Sequence, residues 1–386
     1  MQHRPTSRLW LVGWFAALLV AVKPARALVR FNDGLDQFFV TGTVAYGYNS
    51  NIFSSRNGSG DMTTNYSLLV EYQRKDGYIG VNASVGWNLG EFNKFRTQNF
   101  ADPTFTLEFD KDTTGRLKDE LLFSAARQST ADSAANLRTN SWNYATNLNW
   151  KYLVIPRYNL SGGFGYGLTD YPAGRGLDNL STYTVKIDLY YNLNSERDVF
   201  AGYQYRLSDT SANARDTDND FHVGVAGKII SKLTGSLQIG YQFRTADAQP
   251  GPPAVPGGSF GALSIESSLT WAYSRRIKFI GQIKKDFSTT STNISTDALS
   301  ANFQGEYSYN TKLSTFATIG GGETQFLGTL GAGRIDYNFS WGTGVNYTYN
   351  DHFKAVLAYS YLENWSNVFA SNFESRSVTL TITSRW

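Results

Sequence analysis

Ser377-Val378-Thr379-Leu380-Thr381-Ile382-Thr383-Ser384-Arg385-Trp386 is the final stretch of the sequence. Ser377, Thr379, Thr381, Thr383 and Arg385 alternate with Val378, Leu380, Ile382 and Trp386, a period of two that suits a strand with one wet and one apolar face. A slip of one residue would exchange the two faces, so the pattern also fixes a register. Val378, Leu380, Ile382 and Trp386 are therefore expected on the apolar side, with Thr379, Thr381 and Arg385 toward water.

Composition shows where such strands belong. The 386 residues include no cysteine and two methionines, but 24 Tyr, 25 Phe, 9 Trp and 36 Gly. Mean hydropathy is −0.34, and no apolar run after residue 27 approaches the roughly 18 residues that span a bilayer as a helix. Strands are left as the spanning elements. Without cysteine there are no disulfides and no thiolate metal sites, and no cofactor is expected.

Residues 1–27 read as a secretory signal peptide. Arg4 and Arg8 form a basic start, Leu9 to Val22 an apolar core, and Ala25-Arg26-Ala27 a small-x-small cleavage site. Arg4, Arg8, Lys23 and Arg26 would leave with it, so the 35 basic residues fall to 31 against 32 acidic ones. The remaining chain is nearly neutral and carries no basic block suited to nucleic acid. Residues 28–37 are expected as a periplasmic lead-in and 38–386 as the membrane domain.

From Phe38 onward a strand, a tight reversal, a returning strand and a longer polar connection recur. Tight reversals are expected at Lys75-Asp76-Gly77, Asp112 to Gly115, Val154-Ile155-Pro156, Asn194 to Arg197, Ser231-Lys232, Ser274 to Arg276, Asn310 to Lys312 and Asn350 to His352. Longer connections are expected over Asn49 to Met62, Ser208 to Asp220, Thr245 to Gly261 and Thr289 to Asp297. Strict alternation of short and long connections is the grammar of a transmembrane antiparallel up-and-down β-barrel, with short periplasmic turns and longer extracellular loops. About eighteen strands result, or sixteen if the irregular stretch from Phe92 to Leu122 holds two fewer, and both even counts return the termini to one side. Phe38 to Tyr48 is the expected partner of the closing strand.

Individual segments support this. In Tyr183 to Tyr191 the odd positions suit lipid, whereas Lys186 and Asp188 must face water. Leu263, Ile265, Leu269, Trp271 and Tyr273 alternate with Ser264, Glu266, Ser268 and Thr270. Ile335, Tyr337, Phe339 and Trp341 alternate with Arg334, Asp336, Asn338 and Ser340. Paired rings before the tight reversals, such as Trp150 with Tyr152 and Tyr190 with Tyr191, are the expected headgroup girdle.

The repeat is clearest in Tyr190-Tyr191-Asn192-Leu193-Asn194-Ser195-Glu196-Arg197-Asp198-Val199-Phe200-Ala201-Gly202-Tyr203-Gln204-Tyr205-Arg206 and continues through Val223 to Lys228 and Lys232 to Gln242. With Tyr48-Asn49-Ser50-Asn51-Ile52-Phe53 near the first loop, it resembles the beta-barrel porin type 2 family across residues 28–386. That resemblance implies an outer-membrane porin of Gram-negative bacteria, often accompanying exopolysaccharide systems. The closing strand with its terminal aromatic likewise resembles the signal read by the barrel-assembly machinery, with Val378, Leu380, Ile382 and Trp386 carrying it. Outer-membrane lipid, lipopolysaccharide, polysaccharide and periplasmic export components are the partners the resemblance implies.

Catalytic signals are weak. His222 follows Phe221 with its ring toward the lumen, and His352 lies in a tight reversal at the opposite rim, so the two do not share a site. Neither has a Ser or carboxylate at triad spacing, which leaves a barrel lipase without a nucleophile. Asp216-Thr217-Asp218-Asn219-Asp220 has the alternating oxygens of a calcium loop, yet Phe221 replaces the required Gly and Gly227 the bidentate Glu, so a solvated acidic loop is expected. Gly251-Pro252-Pro253-Ala254-Val255-Pro256-Gly257-Gly258 is an external segment able to fold into the mouth. Gly162-Gly163-Phe164-Gly165 lies within a strand and is no phosphate loop.

The collective signal is the charge on the inward face. By register it includes Lys151, Lys186, Arg206, Lys228, Arg244, Lys278, Lys284, Arg334 and Lys354, together with Glu71, Glu108, Asp188, Glu266, Asp286, Glu306 and Asp336. Unpaired ions in a dry centre would cost several kcal/mol each, so a water-filled lumen or a heavily paired network is required. A barrel of about eighteen strands is wide enough for an aqueous channel. Two non-enzymatic functions follow: a conduit for a hydrophilic solute, with polysaccharide implied by the resemblance, or a plugged barrel acting as a scaffold.

Overall fold

Two-residue alternation governs nearly all of the chain. The computed structural model describes residues 28–74, 79–113, 115–132, 137–172, 176–248, 257–328 and 333–386. The expected signal peptide, the Lys75-Asp76-Gly77 reversal and most of the proline-rich segment lie outside them. A short strand β1 (Val29–Phe31) precedes β2 (Asp36–Asn49), β3 (Asp61–Arg74), β4 (Gly80–Phe92), β5 (Phe100–Thr113), β6 (Leu117–Asp132) and β7 (Leu137–Ile155). There follow β8 (Tyr158–Asp170), β9 (Leu180–Asn194), β10 (Arg197–Thr210), β11 (Arg215–Ile230), β12 (Leu233–Ala246) and β13 (Gly258–Trp271). The last are β14 (Ile277–Thr289), β15 (Ser295–Ser308), β16 (Leu313–Phe326), β17 (Ile335–Thr348), β18 (Phe353–Ser366) and β19 (Phe373–Arg385).

Strands β2 to β19 pair antiparallel with their sequence neighbours, and β19 pairs β2 from Ser377 opposite Asn49 to Arg385 opposite Thr41. The result is a closed barrel of 18 strands. Trp386 completes the closure with two backbone hydrogen bonds to Val40, of 2.8 and 2.9 Å. Below that point β1 folds back on Asp36 to Phe38, so the first barrel strand begins two residues before the sequence pattern suggests. Among the described residues no helix is long and apolar enough to cross a membrane.

Register sorts the faces. Phe221 opposes Tyr241, and Tyr241 opposes Leu263; all three are exposed on the outer surface. Val378, Leu380 and Ile382 lie beside Tyr48, Tyr46 and Val44 in the same outward band. Near the short-turn rim Tyr152, Tyr158, Tyr273, Tyr309 and Tyr349 are exposed, where amphipathic rings suit the headgroup layer. One member of the expected girdle differs: Tyr190 faces the lumen and stacks on Phe200 at 4.8 Å. Its even position places it beside Asp188, whereas Tyr191 keeps the outward parity of Leu189.

A second difference concerns Ser208 to Asp220. The connection is only residues 211–214, and Asp216 to Asp220 belong to β11. The acidic segment is therefore no solvated loop. Its alternation is strand alternation, with Asp216, Asp218 and Asp220 all buried.

Candidate functional site: the barrel lumen

One transverse row shows how the sequence builds the inner wall. Asp188 opposes Gly202, Gly202 opposes His222, His222 opposes Gly240, and Gly240 opposes Ser264. Polar side chains and glycines thus alternate across five strands. A Cβ on Gly202 would stand 1.9 Å from Asp188 Oδ1 and 2.7 Å from His222 Nε2. Only glycine leaves room for Asp188 to reach across β10 to His222, at 2.8 Å. On the other side His222 Nδ1 meets Asp220 Oδ2 at 2.7 Å, and Ser264 Oγ, passing over Gly240, donates a short hydrogen bond to Asp220. Lys186 extends the network to Asp188 at 3.4 Å and to Gln238 at 3.2 Å.

His222 therefore has two carboxylate neighbours, one two residues away and one across a strand. The first escapes a linear reading because its segment has the composition of a loop, the second because pairing across β10 is invisible in a linear sequence. Neither arrangement is a nucleophile with its base, since Ser264 donates to Asp220 and not to the imidazole. Among the described residues no group of three or more His, Cys, Asp or Glu is placed to hold a metal ion.

Toward the long-loop rim lies a second network. Arg206 bonds Asp286 through both Nη atoms, at 2.8 and 3.0 Å, and Asp218 through Nε at 2.7 Å. Arg244 bonds Asp218 at 2.6 and 2.7 Å and Asp216 at 3.3 Å. The Arg244 side chain is 0% exposed. It faces inward as its parity requires, yet it is sealed from the lumen rather than lining it.

The seal is the upper β14–β15 hairpin. β13 and β14 pair only from Ile265 opposite Lys285 to Trp271 opposite Phe279, whereas β12 and β13 pair from end to end. Above the fork β14 leaves the wall and lies on the inner face of β10 to β12. Arg206 donates to the Phe287 carbonyl at 2.6 Å and Arg244 to that of Ser288 at 2.7 Å. Phe287, of outward parity, is turned under the Arg244 guanidinium, 5.1 Å from its ring centroid. Asp216 accepts Thr289 and Ser295, each at 2.7 Å. The hairpin tip reaches the β8–β9 connection, where Asp178 N–H donates to the Ser291 carbonyl at 2.8 Å.

A similar departure occurs at β5 and β6, which pair only from Thr104 opposite Ala126 downward. Ser129, of outward parity on β6, bonds the inward-facing Asp102 at 2.8 Å. Arg138 on β7 lies over the inward rings of Phe92 and Phe100 at 4.9 and 5.5 Å.

The other inward charges are scattered in rim pairs. Near the short turns Glu71 meets Arg385 at 3.2 Å, Lys151 meets Asp198 at 3.9 Å, Lys228 meets Glu196 at 2.9 Å and Lys278 meets Glu306 at 2.8 Å. Lys354, opposite Thr348, occupies the same rim, and Asn82 donates to Glu108 at 3.4 Å. Near the long loops Arg334 meets Asp336 at 2.5 Å. Glu266 and Lys284 oppose each other below the fork, and Lys284 approaches Asp286 at 3.6 Å. Lys186, Asp188, Arg206, Arg244, Glu266, Lys284 and Asp286 thus converge on one wall, whereas the other inward charges expected from the sequence stay separate. At the closure, the Trp386 ring stacks on His352 at 4.0 Å and donates to Ser384 at 2.7 Å.

An apolar outer band, ring-lined rims and a polar interior on a closed 18-stranded barrel define a porin-like outer-membrane β-barrel. The family described as "Putative beta-barrel porin 2" matches residues 207–386. The improved crystal structure of Pseudomonas aeruginosa OccK1 (OpdK) is similar with a TM-score of 0.50 at 11% identity, over 90% of this chain and 99% of that one. Acinetobacter baumannii OccAB2 gives a TM-score of 0.49 at 13% identity, over 91% and 98% of the two chains. The FrpB iron transporter of Neisseria meningitidis (F3-3 variant) gives 0.47 at 8% identity, over 90% and 81%. At such identities the likeness is one of fold. No curated protein matches the chain.

Proposed function

We propose that the barrel passes an uncharged hydrophilic solute of the carbohydrate class, in the service of exopolysaccharide export. The supporting observation is the division of the inner wall. At mid-height the charges concentrate on β9 to β14, whereas the wall running from β15 through β19 presents Asn302, Thr318, Ser340, Ser360, Thr379 and similar hydroxyl and amide groups. Such groups exchange hydrogen bonds with sugar hydroxyls, each contributing about 0.5–1.5 kcal/mol net, strong enough to guide and weak enough to release. Gly320 and Gly342 keep that surface low. A Cβ on Gly320 would meet Asn302 Oδ1 at 2.3 Å.

The export direction draws on the family resemblance, and on the reading of residues 1–27 as a Sec signal and of the closing strand as an assembly signal. Planar-bilayer recording tests the solute class. Neutral linear oligosaccharides are expected to interrupt the ionic current reversibly, and currents indifferent to them would refute the carbohydrate reading. A second reading, an occluded scaffold for an envelope machine, is favoured by the inserted hairpin. Normal export with the lumen blocked by bulky groups at Lys186 and Glu266, but none on deletion of the protein, would support it instead.

A further inference from the structure

Above Ile265 and Lys285 no backbone pairing joins β13 to β14 among the described residues. From Gly258 to Ser264, β13 has β12 on one side and no described strand on the other. Unpaired backbone groups facing hydrocarbon cost several kcal/mol each, so this edge must be served by polar groups or be closed part of the time. The register below the fork, continued upward, would place Ser264, Leu263, Ala262 and Gly261 opposite Asp286, Phe287, Ser288 and Thr289. The hairpin thus has two mutually exclusive partners, the inner wall and the β13 edge.

A cavity of about 210 Å³ occupies the fork. Its lining joins inward residues, among them Gln204, Gln242, Glu266 and Lys284, to Ile265 and Lys285 of the outward parity. Ile265 and Lys285 are the last opposed pair below the fork, so the cavity lies at the point where the two strands part. Gln242, 1% exposed, turns its Nε2 into this region without a protein acceptor. Outside the fork the approach is flanked by the exposed apolar side chains of Leu263 and Ile283 and by the Lys285–Asp297 ion pair, at 2.9 Å. An apolar flank beside polar groups that lead to a polar pocket is complementary to a molecule with a polar head and an apolar tail.

We propose that the upper β13–β14 seam is a lateral portal through which the polar head of an outer-leaflet amphiphile enters the fork cavity, gated by the β14–β15 hairpin. With the hairpin clasped by Arg206, Arg244 and Asp216 the portal is open. With the hairpin zipped onto β13 it is shut. The portal is separate from the axial route proposed above, which ion conductance reads on its own.

Because the chain lacks cysteine, Ala262→Cys with Ser288→Cys gives a clean staple for the shut state, since opposed residues in that register bring their Cβ atoms within about 5 Å. The variant is placed in vesicles of phosphatidylethanolamine bearing a diazirine beside its headgroup. On irradiation of the reduced protein, labels are expected on the cavity residues Gln238, Gln242 and Lys284, and oxidation to the disulfide should lower that labelling at least tenfold. Labels confined to outward faces, or cavity labelling unchanged by the disulfide, would overturn the portal. A second staple, Gly261→Cys with Thr289→Cys, guards against a local defect of the first. If neither staple forms, even with Arg206→Ala added and with all thiols open to maleimide, the gate is overturned.

Discussion

The β6–β7 and β14–β15 hairpins leave the wall in the same manner and are held by different chemistry. Each turns its nominal lipid face onto the inner surface of the strands before it. The β14–β15 hairpin is gripped by two arginines and three aspartates, with Arg244 fully enclosed. The β6–β7 hairpin rests on Ser129 against Asp102, the Arg138 guanidinium over two rings, and Arg127, whose Nε lies 3.9 Å from Asp102. Inserting a hairpin does not itself require a buried ion network. The network instead distinguishes the β13–β14 fork, where the portal is proposed, from the β5–β6 fork.

Breaking the strong clasp should have the largest effect. Arg244→Met leaves Asp216 buried without a cation and Asp218 with Arg206 alone, and removal of one partner from such a cluster costs about 3–5 kcal/mol. The expected outcome is a marked loss of stability in lipid-vesicle unfolding by urea. Arg244→Met combined with Asp216→Asn and Asp218→Asn should recover much of it, because the uncompensated charge is gone. Gly202→Ala should follow in size, at about 1–3 kcal/mol, since an added methyl must push Asp188 from His222. On the weak side Ser129→Ala should cost about 0.5–1.5 kcal/mol by the same measurement. If Ser129→Ala proved as damaging as Arg244→Met, the two hairpins would not differ as described.

Much of the fold is legible in the sequence because lipid on one side and water on the other impose period two on every strand. About eighteen strands, with sixteen as the alternative, and the outward set Val378, Leu380 and Ile382 follow from that constraint together with the turn chemistry of the connections. The site is legible only in part. Parity correctly turns Arg206, Arg244 and Asp188 inward, but parity cannot show that a hairpin then covers them. Asp216 to Asp220 read as a loop because acidic residues beside Asn and Ser look like turn chemistry, and their partners Arg206 and Arg244 lie on other strands. The glycines of the Asp188 to Ser264 row gave no signal, since a glycine needed for space resembles one needed for a turn until the register is known.

The most direct measurement is the unitary conductance in a planar bilayer of the intact protein against a form whose tip, residues 290–294, is replaced by a two-residue turn. A hairpin lying inside the lumen narrows it, so the trimmed form is expected to conduct more current per channel while keeping its sensitivity to neutral oligosaccharides. Equal conductance in the two forms would contradict a lumen restricted by the inserted β14–β15 hairpin.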